Sequence, residues 1–83
     1  MNQHFASLIL GLAGQANAAL DGQLPPGAAA AGAPDAKQFA KALIDTLGAL
    51  EERTRGNLDA DEAKLMEQAL TALRFRYATG QAG

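Results

Sequence analysis

All three prolines of this 83-residue chain stand between positions 25 and 34, inside the segment DGQLPPGAAAAGAP. Proline lacks the backbone donor a helix interior needs, and its ring clashes with the preceding turn. Pro25-Pro26-Gly27 therefore forbids a continuous helix. The chain must fold as two parts joined by an irregular linker over residues 21–34. Those fourteen residues span up to about 46 Å when extended. The part before the linker can thus dock on its own chain or reach a neighbouring copy.

Composition decides what the two parts become. Alanine supplies 20 of the 40 hydrophobic residues, valine is absent, and isoleucine plus threonine total six. A β-sandwich or barrel needs many β-branched and aromatic residues, so this composition argues against either. Alanine and leucine are strong helix formers. With no cysteine, disulfides, thiol chemistry and Cys-ligated zinc are excluded, and one histidine excludes a two-histidine metal site within one chain. A net charge of −2 argues against non-specific nucleic-acid binding through overall charge.

The first helix is predicted over residues 3–20, with Asn2 as N-cap and Asp21-Gly22 as its stop. Phe5, Leu8, Ile9, Leu12, Ala16, Ala19 and Leu20 recur at helical spacing and define one apolar face. The run FASLILGLAG followed by Ala16-Asn17-Ala18 has the outline of a secretory signal, but no Lys or Arg precedes it. Sixteen uncharged residues broken by Ser7, Gln15 and Asn17 are too few and too polar for a membrane span. The segment reads as a buried helix.

The second helix is predicted over residues 36–55, with Asp35 as N-cap and Gln38 at the capping-box position. Its core stripe is Phe39, Ala40, Leu43, Ile44, Leu47 and Leu50; Glu51 and Arg55 make an i,i+4 pair, and Gly56 fits the left-handed stop. The third helix is predicted over residues 60–78, opened by the capping box Asp59-Ala60-Asp61-Glu62 with Leu58 as a hydrophobic staple. Met66, Ala69, Leu70, Leu73 and Tyr77 continue its stripe, and a tail follows over 79–83. The short turn makes these two helices an antiparallel hairpin. Leu43, Leu47, Leu50, Met66, Leu70 and Leu73 are its expected core. The expected fold is all-α: one small domain of an apolar N-terminal helix and a hairpin, assembled into an oligomeric helical bundle.

Three elements of this reading fall together in order: Ile44-Asp45-x-Leu47-x-x-Leu50, the turn Arg53-Thr54-Arg55-Gly56-Asn57-Leu58, and Leu73-Arg74-Phe75-Arg76-Tyr77. In these, and in the order helix, Pro/Gly linker, helix, helix, the chain resembles the bacterial domain of unknown function 1844 family. Its linker is richer in alanine than the family pattern. The resemblance implies a bacterial, cytoplasmic helical protein and no particular activity.

Candidate functional residues are few. Ser7, Gly11, Gly14 and Ala18 share one stripe of the first helix, within about 60° on a helical wheel. Leu10 projects away from the main apolar face as well. Glycines on an exposed helix each cost about 1 kcal/mol against alanine, whereas small residues at a contact let another backbone come close. Only 20 residues are large apolar types, and no disulfide or metal supplements so small a core. A homo-oligomer is therefore expected, a dimer by the commonness of twofold assemblies, with the first helix at the interface.

Phe75, flanked by Arg74 and Arg76, faces away from the predicted core and is a candidate partner contact. In a hairpin Lys37, Lys41, Arg74 and Arg76 fall at one end, which would suit a small nucleic-acid- or anion-binding module. Charges that compensate helix dipoles explain the same residues, and no RNA-binding motif accompanies them. Neither nucleic acid nor membrane is an expected partner. His4 has no catalytic companions, and capping accounts for Asp59, Asp61 and Glu62. No catalytic residue, cofactor or metal is expected. The leading expectation is a non-enzymatic interaction protein that binds itself, with room for an unidentified protein partner.

Overall fold

The computed structural model of the protein describes residues 1–23 and 35–79. Most of the expected linker, and the tail beyond residue 79, lie outside the described residues. Among the described residues there are three α-helices and no strand: α1 (Gln3–Leu20), α2 (Ala36–Arg53) and α3 (Ala60–Thr79).

Each helix begins where its sequence supplies an acceptor for the unpaired first-turn donors. The Asn2 side chain accepts from the His4 and Phe5 N–H groups, at 2.9 and 3.0 Å. Asp35 accepts from the Gln38 N–H at 2.7 Å. At the start of α3 the capping box closes in both directions. Asp59 accepts the Glu62 N–H at 2.8 Å, and Glu62 accepts the Asp59 N–H at 3.0 Å.

The ends differ in kind. After α1 the Gln23 N–H reaches the Ala18 carbonyl at 3.0 Å and the Gly22 N–H reaches Ala19 at 2.9 Å. This is a Schellman closure, and Gly22 takes the left-handed backbone (φ 91°) that it requires. α2 stops two residues short of the expected Arg55. The Thr54 hydroxyl donates to the Leu50 carbonyl at 2.6 Å, and Thr54 leaves helical geometry as the C-cap. Gly56 still takes a left-handed φ of 85°, but within the turn and not at the first position beyond the cap. Arg55 thereby leaves the helix, and the expected ion pair with Glu51 does not form among the described residues. Thr79, expected in the tail, is the last residue of α3.

One buried cluster holds the three helices together. Ile9, Ala16, Ala19 and Leu20 of α1 meet Ala40, Leu43, Ile44 and Leu47 of α2 and Met66, Leu70 and Leu73 of α3. Of the expected hairpin core only Leu50 stands partly exposed, at the edge. Ile9 and Leu20 are fully buried. Burying a side chain of that size contributes about 1.5–3 kcal/mol, so α1 is a structural wall of the core and not a cover over a finished hairpin. Leu8 departs from expectation: it is 46% exposed. The centre of the buried stripe runs through Ile9 and Ala16, which leaves Leu8 roughly 90° around the helix from it.

Polar contacts fix the directions of the helices. The Asn2 N–H donates to Glu62 at 2.8 Å at the start of α1 and α3. Near their ends Arg76 donates to Asn17 at 2.8 Å and to Asp21 at 2.7 Å. α1 and α3 therefore run parallel. Lys37, in the first turn of α2, stands 5.1 Å from the ring of Tyr77, late in α3, so α2 runs against them.

Candidate functional site

The outer face of α1 is where the sequence placed an interface. Ser7, Leu10, Gly11 and Gly14 are exposed, and Ala18 is half-buried. Ser7, Gly11, Gly14 and Ala18 lie opposite the buried stripe of Ile9 and Ala16. A methyl group added at Gly11 or Gly14 would meet nothing within 4 Å, so no element of the described chain uses the close approach these glycines permit. Leu8 and Leu10, 46% and 57% exposed, flank the small-residue stripe on its two sides. From Phe5 to Leu20 the helix carries no charge. The result is an uncharged outer surface about four turns long, edged by two leucines.

The second apolar feature is on α3. Phe75 is 69% exposed and points directly away from the core. With Glu67, Gln68, Thr71 and Ala72 it lines a shallow open groove along the outer side of that helix.

The four cations expected to cluster are taken up separately. Lys37 lies over the Tyr77 ring, and Lys41 pairs with Asp45 at 3.0 Å, which holds its pKa above the usual lysine value. Arg76 is committed to Asn17 and Asp21 of α1. The Arg74 guanidinium lies along Gly48, where a methyl group would meet it at 3.2 Å. Cation–π and ion-pair partners inside the chain thus compete for three of the four charges that a phosphate would need.

A polar junction that local sequence does not disclose joins the beginnings of α1 and α3. One Glu62 oxygen accepts from Asp59 and the other from Asn2, and Glu62 is buried. The Met1 ammonium reaches Asp59 at 3.0 Å. The Glu62 N–H, and then that ammonium, hold the Asp59 carboxyl below its ordinary range. The same contact raises the Met1 amine. Each capping residue was legible alone; that the two caps meet depends on α1 and α3 running parallel. At the other end Asn17, and Asp21 four residues on at the C-cap, are the available sign of a polar contact.

Beside the hairpin turn a cleft of about 290 Å³ has Leu58 and Met66 in its lining and Glu51, Arg55 and Glu67 among its charged residues. That is just under the range of small-molecule pockets. Among the described residues no group of three or more His, Asp or Glu side chains could hold a metal ion. Nor is any described helix long and apolar enough to cross a membrane.

Parallel α1 and α3 with an antiparallel α2, capped and clipped at both ends, make the described residues a small three-helix all-α bundle. The chain belongs to the family described as Domain of unknown function (DUF1844), whose model matches residues 2–79. That match takes in all three helices and the linker. No curated protein and no solved structure matches the chain.

Proposed function

We propose that this protein is a self-associating helical interaction protein, without chemistry of its own, that dimerises through the outer face of α1. On this reading it works in the bacterial cytoplasm, and its surfaces rather than a catalytic centre carry its role. The observation that supports the reading is the pairing of two features on one helix. Gly11 and Gly14 lie on an open surface where alanine would make a better helix, and Leu8 and Leu10 stand exposed on either side of them. A second copy seated there covers both leucines and uses both glycines.

Sedimentation at micromolar concentration tests this. The chain is expected to sediment as a dimer, and Gly11→Leu to shift it to the 8.5 kDa monomer. The added side chain has open space in the single chain, so folding survives and the melting temperature at low concentration does not fall. A Gly11→Leu protein that assembles like the parent would overturn the α1 interface.

A further inference from the structure

The outer face of α3 has a property that α1 lacks: it carries charged groups, and these are complementary when the helix is turned end over end. We infer that this face is a second contact between copies of the chain, in which two α3 helices pack antiparallel about a twofold axis at Thr71.

Glu67, Thr71 and Phe75 follow one another at four-residue spacing on the outer side of α3, all exposed. Thr71 is midway, about 6 Å along the axis from each. A twofold axis through Thr71 brings Phe75 of one copy level with Glu67 of the other, and Arg74 level with Gln68. Helical-wheel positions then decide which groups meet. Glu67 and Arg74 lie on the flank of this face toward α2; Phe75, Gln68 and Ala72 lie on the flank toward α1. A twofold axis perpendicular to antiparallel helices keeps each flank on its own side.

Two contacts follow on each side of the axis. Glu67 of one copy meets Arg74 of the other, an acidic group against a basic one. Phe75 enters the groove formed by Gln68, Thr71 and Ala72 of the second copy, the same groove it borders in its own chain. Lys64 falls level with Ala78, so no like charges are opposed. Thr71 and Ala72 are the small residues at the crossing, where the helices must come closest.

Among the described residues neither Glu67 nor Arg74 takes part in an ion pair. The Arg74 guanidinium lies along Gly48 of α2 and turns outward from there to meet Glu67 of the second copy. The contact is isologous, with each copy giving the same residues and receiving the same residues, so it closes at two copies. One helix pair makes a small interface, of the size found in weak, reversible association. The α3 face stands independently of the α1 reading, since the two lie on different helices. Where both operate, the α3 contact joins α1-linked pairs at higher concentration.

The chain has no cysteine, so single introduced thiols report geometry directly. Under mild oxidation Thr71→Cys is expected to form a disulfide-linked dimer, because the two positions face each other at the axis. Lys64→Cys is not, since its two copies are about 21 Å apart along the helices. In sedimentation, Glu67→Arg and Arg74→Glu are each expected to weaken the α3 contact about tenfold, and the double variant to restore it. Phe75→Ala is expected to weaken it without lowering the melting temperature, its ring being exposed.

The α3 contact is read in the Gly11→Leu background, so that loss of the α1 contact and loss of this one are seen separately. A monomer there at millimolar concentration overturns the inference. So does a Thr71→Cys protein that cross-links no faster than Lys64→Cys, or a double charge reversal that fails to restore association.

Discussion

Glu62 accepts the backbone N–H of Asn2 at 2.8 Å, across 60 positions of sequence. Its other oxygen takes the Asp59 N–H at 3.0 Å. A single buried carboxylate thus caps α3 and anchors the start of α1. The two helices enter the bundle at the same level because their first-turn donors share an acceptor.

Removing that acceptor leaves two backbone donors without their partner. Glu62→Ala is expected to cost about 2–3 kcal/mol, as for hydrogen bonds to a charged group in a partly buried place. Glu62→Gln keeps one acceptor oxygen and should lose less. Urea unfolding of the three proteins gives the order directly. An alanine variant as stable as the parent would show that the junction is incidental to the fold.

The same junction predicts how stability varies with pH. Asp59 has a lowered pKa in the folded chain, first through the Glu62 N–H and then through the Met1 ammonium. Its contribution is complete above the unfolded value of about 3.9, and is lost as pH falls through the folded value. The Met1 amine is raised, mainly by Asp59. Its contribution is complete below about pH 8 and is lost as pH rises through the folded value. The start of α1 should be most protected from hydrogen exchange, after correction for intrinsic rates, between about pH 5 and 7. Asp59→Asn should flatten both limbs. An alkaline limb unchanged in that variant would detach Met1 from the account.

The glycines separate by backbone conformation. Gly11 and Gly14 have helical geometry and open space, so Gly11→Ala and Gly14→Ala should each stabilise the single chain by about 1 kcal/mol. Gly56 has a φ of 85°, and alanine there should destabilise by about 1–2 kcal/mol despite equally open space. Unfolding at low protein concentration, where association does not contribute, makes the comparison.

Leu47 and Leu70 show what the sequence discloses well. Each sits on the stripe its helix's spacing defines, the short turn brings the stripes together, and both are buried. Leu47→Ala and Leu70→Ala should cost about 2–5 kcal/mol each. Leu10→Ala, at 57% exposure, should change the stability of the single chain little. A calorimetric series on the three variants checks the ranking.

Leu8 marks where that legibility stops. Periodicity identifies an apolar face without fixing its centre, and between Phe5 and Leu20 no charged residue marks its edges. Leu8 therefore fits the apolar periodicity, while the positions of α2 and α3 set the centre of the buried face at Ile9 and Ala16. The basic residues are a different case. Hairpin topology brings Lys37, Lys41, Arg74 and Arg76 to one end, and there each side chain finds its own neighbour: Tyr77, Asp45, Gly48, or the end of α1. Such choices depend on tertiary distances that no local pattern encodes. The four-residue spacing of Glu67, Thr71 and Phe75 is plain in the sequence, whereas their common exposure depends on how α3 packs against α1 and α2.

Arg76 and Asp21 hold the far end of α1, and their coupling is measurable. Asp21 caps the C-terminus of α1, where the helix dipole disfavours a negative charge. Arg76 offsets that charge at 2.7 Å and also donates to Asn17. Both side chains are partly solvated, so the ion pair itself is worth about 1 kcal/mol or less. Arg76→Met should therefore destabilise through two losses, the Asn17 bond and an Asp21 charge left against the dipole. Asp21→Asn alone should be close to neutral, because it removes the pair and the dipole conflict together. In the Asp21→Asn background, Arg76→Met should cost less than in the parent. The difference is a coupling energy of about 0.5–1 kcal/mol, read from the four unfolding curves of the cycle. Additive effects would mean that Arg76 holds α1 through Asn17 alone, and that Asp21 is a spectator at the end of its helix.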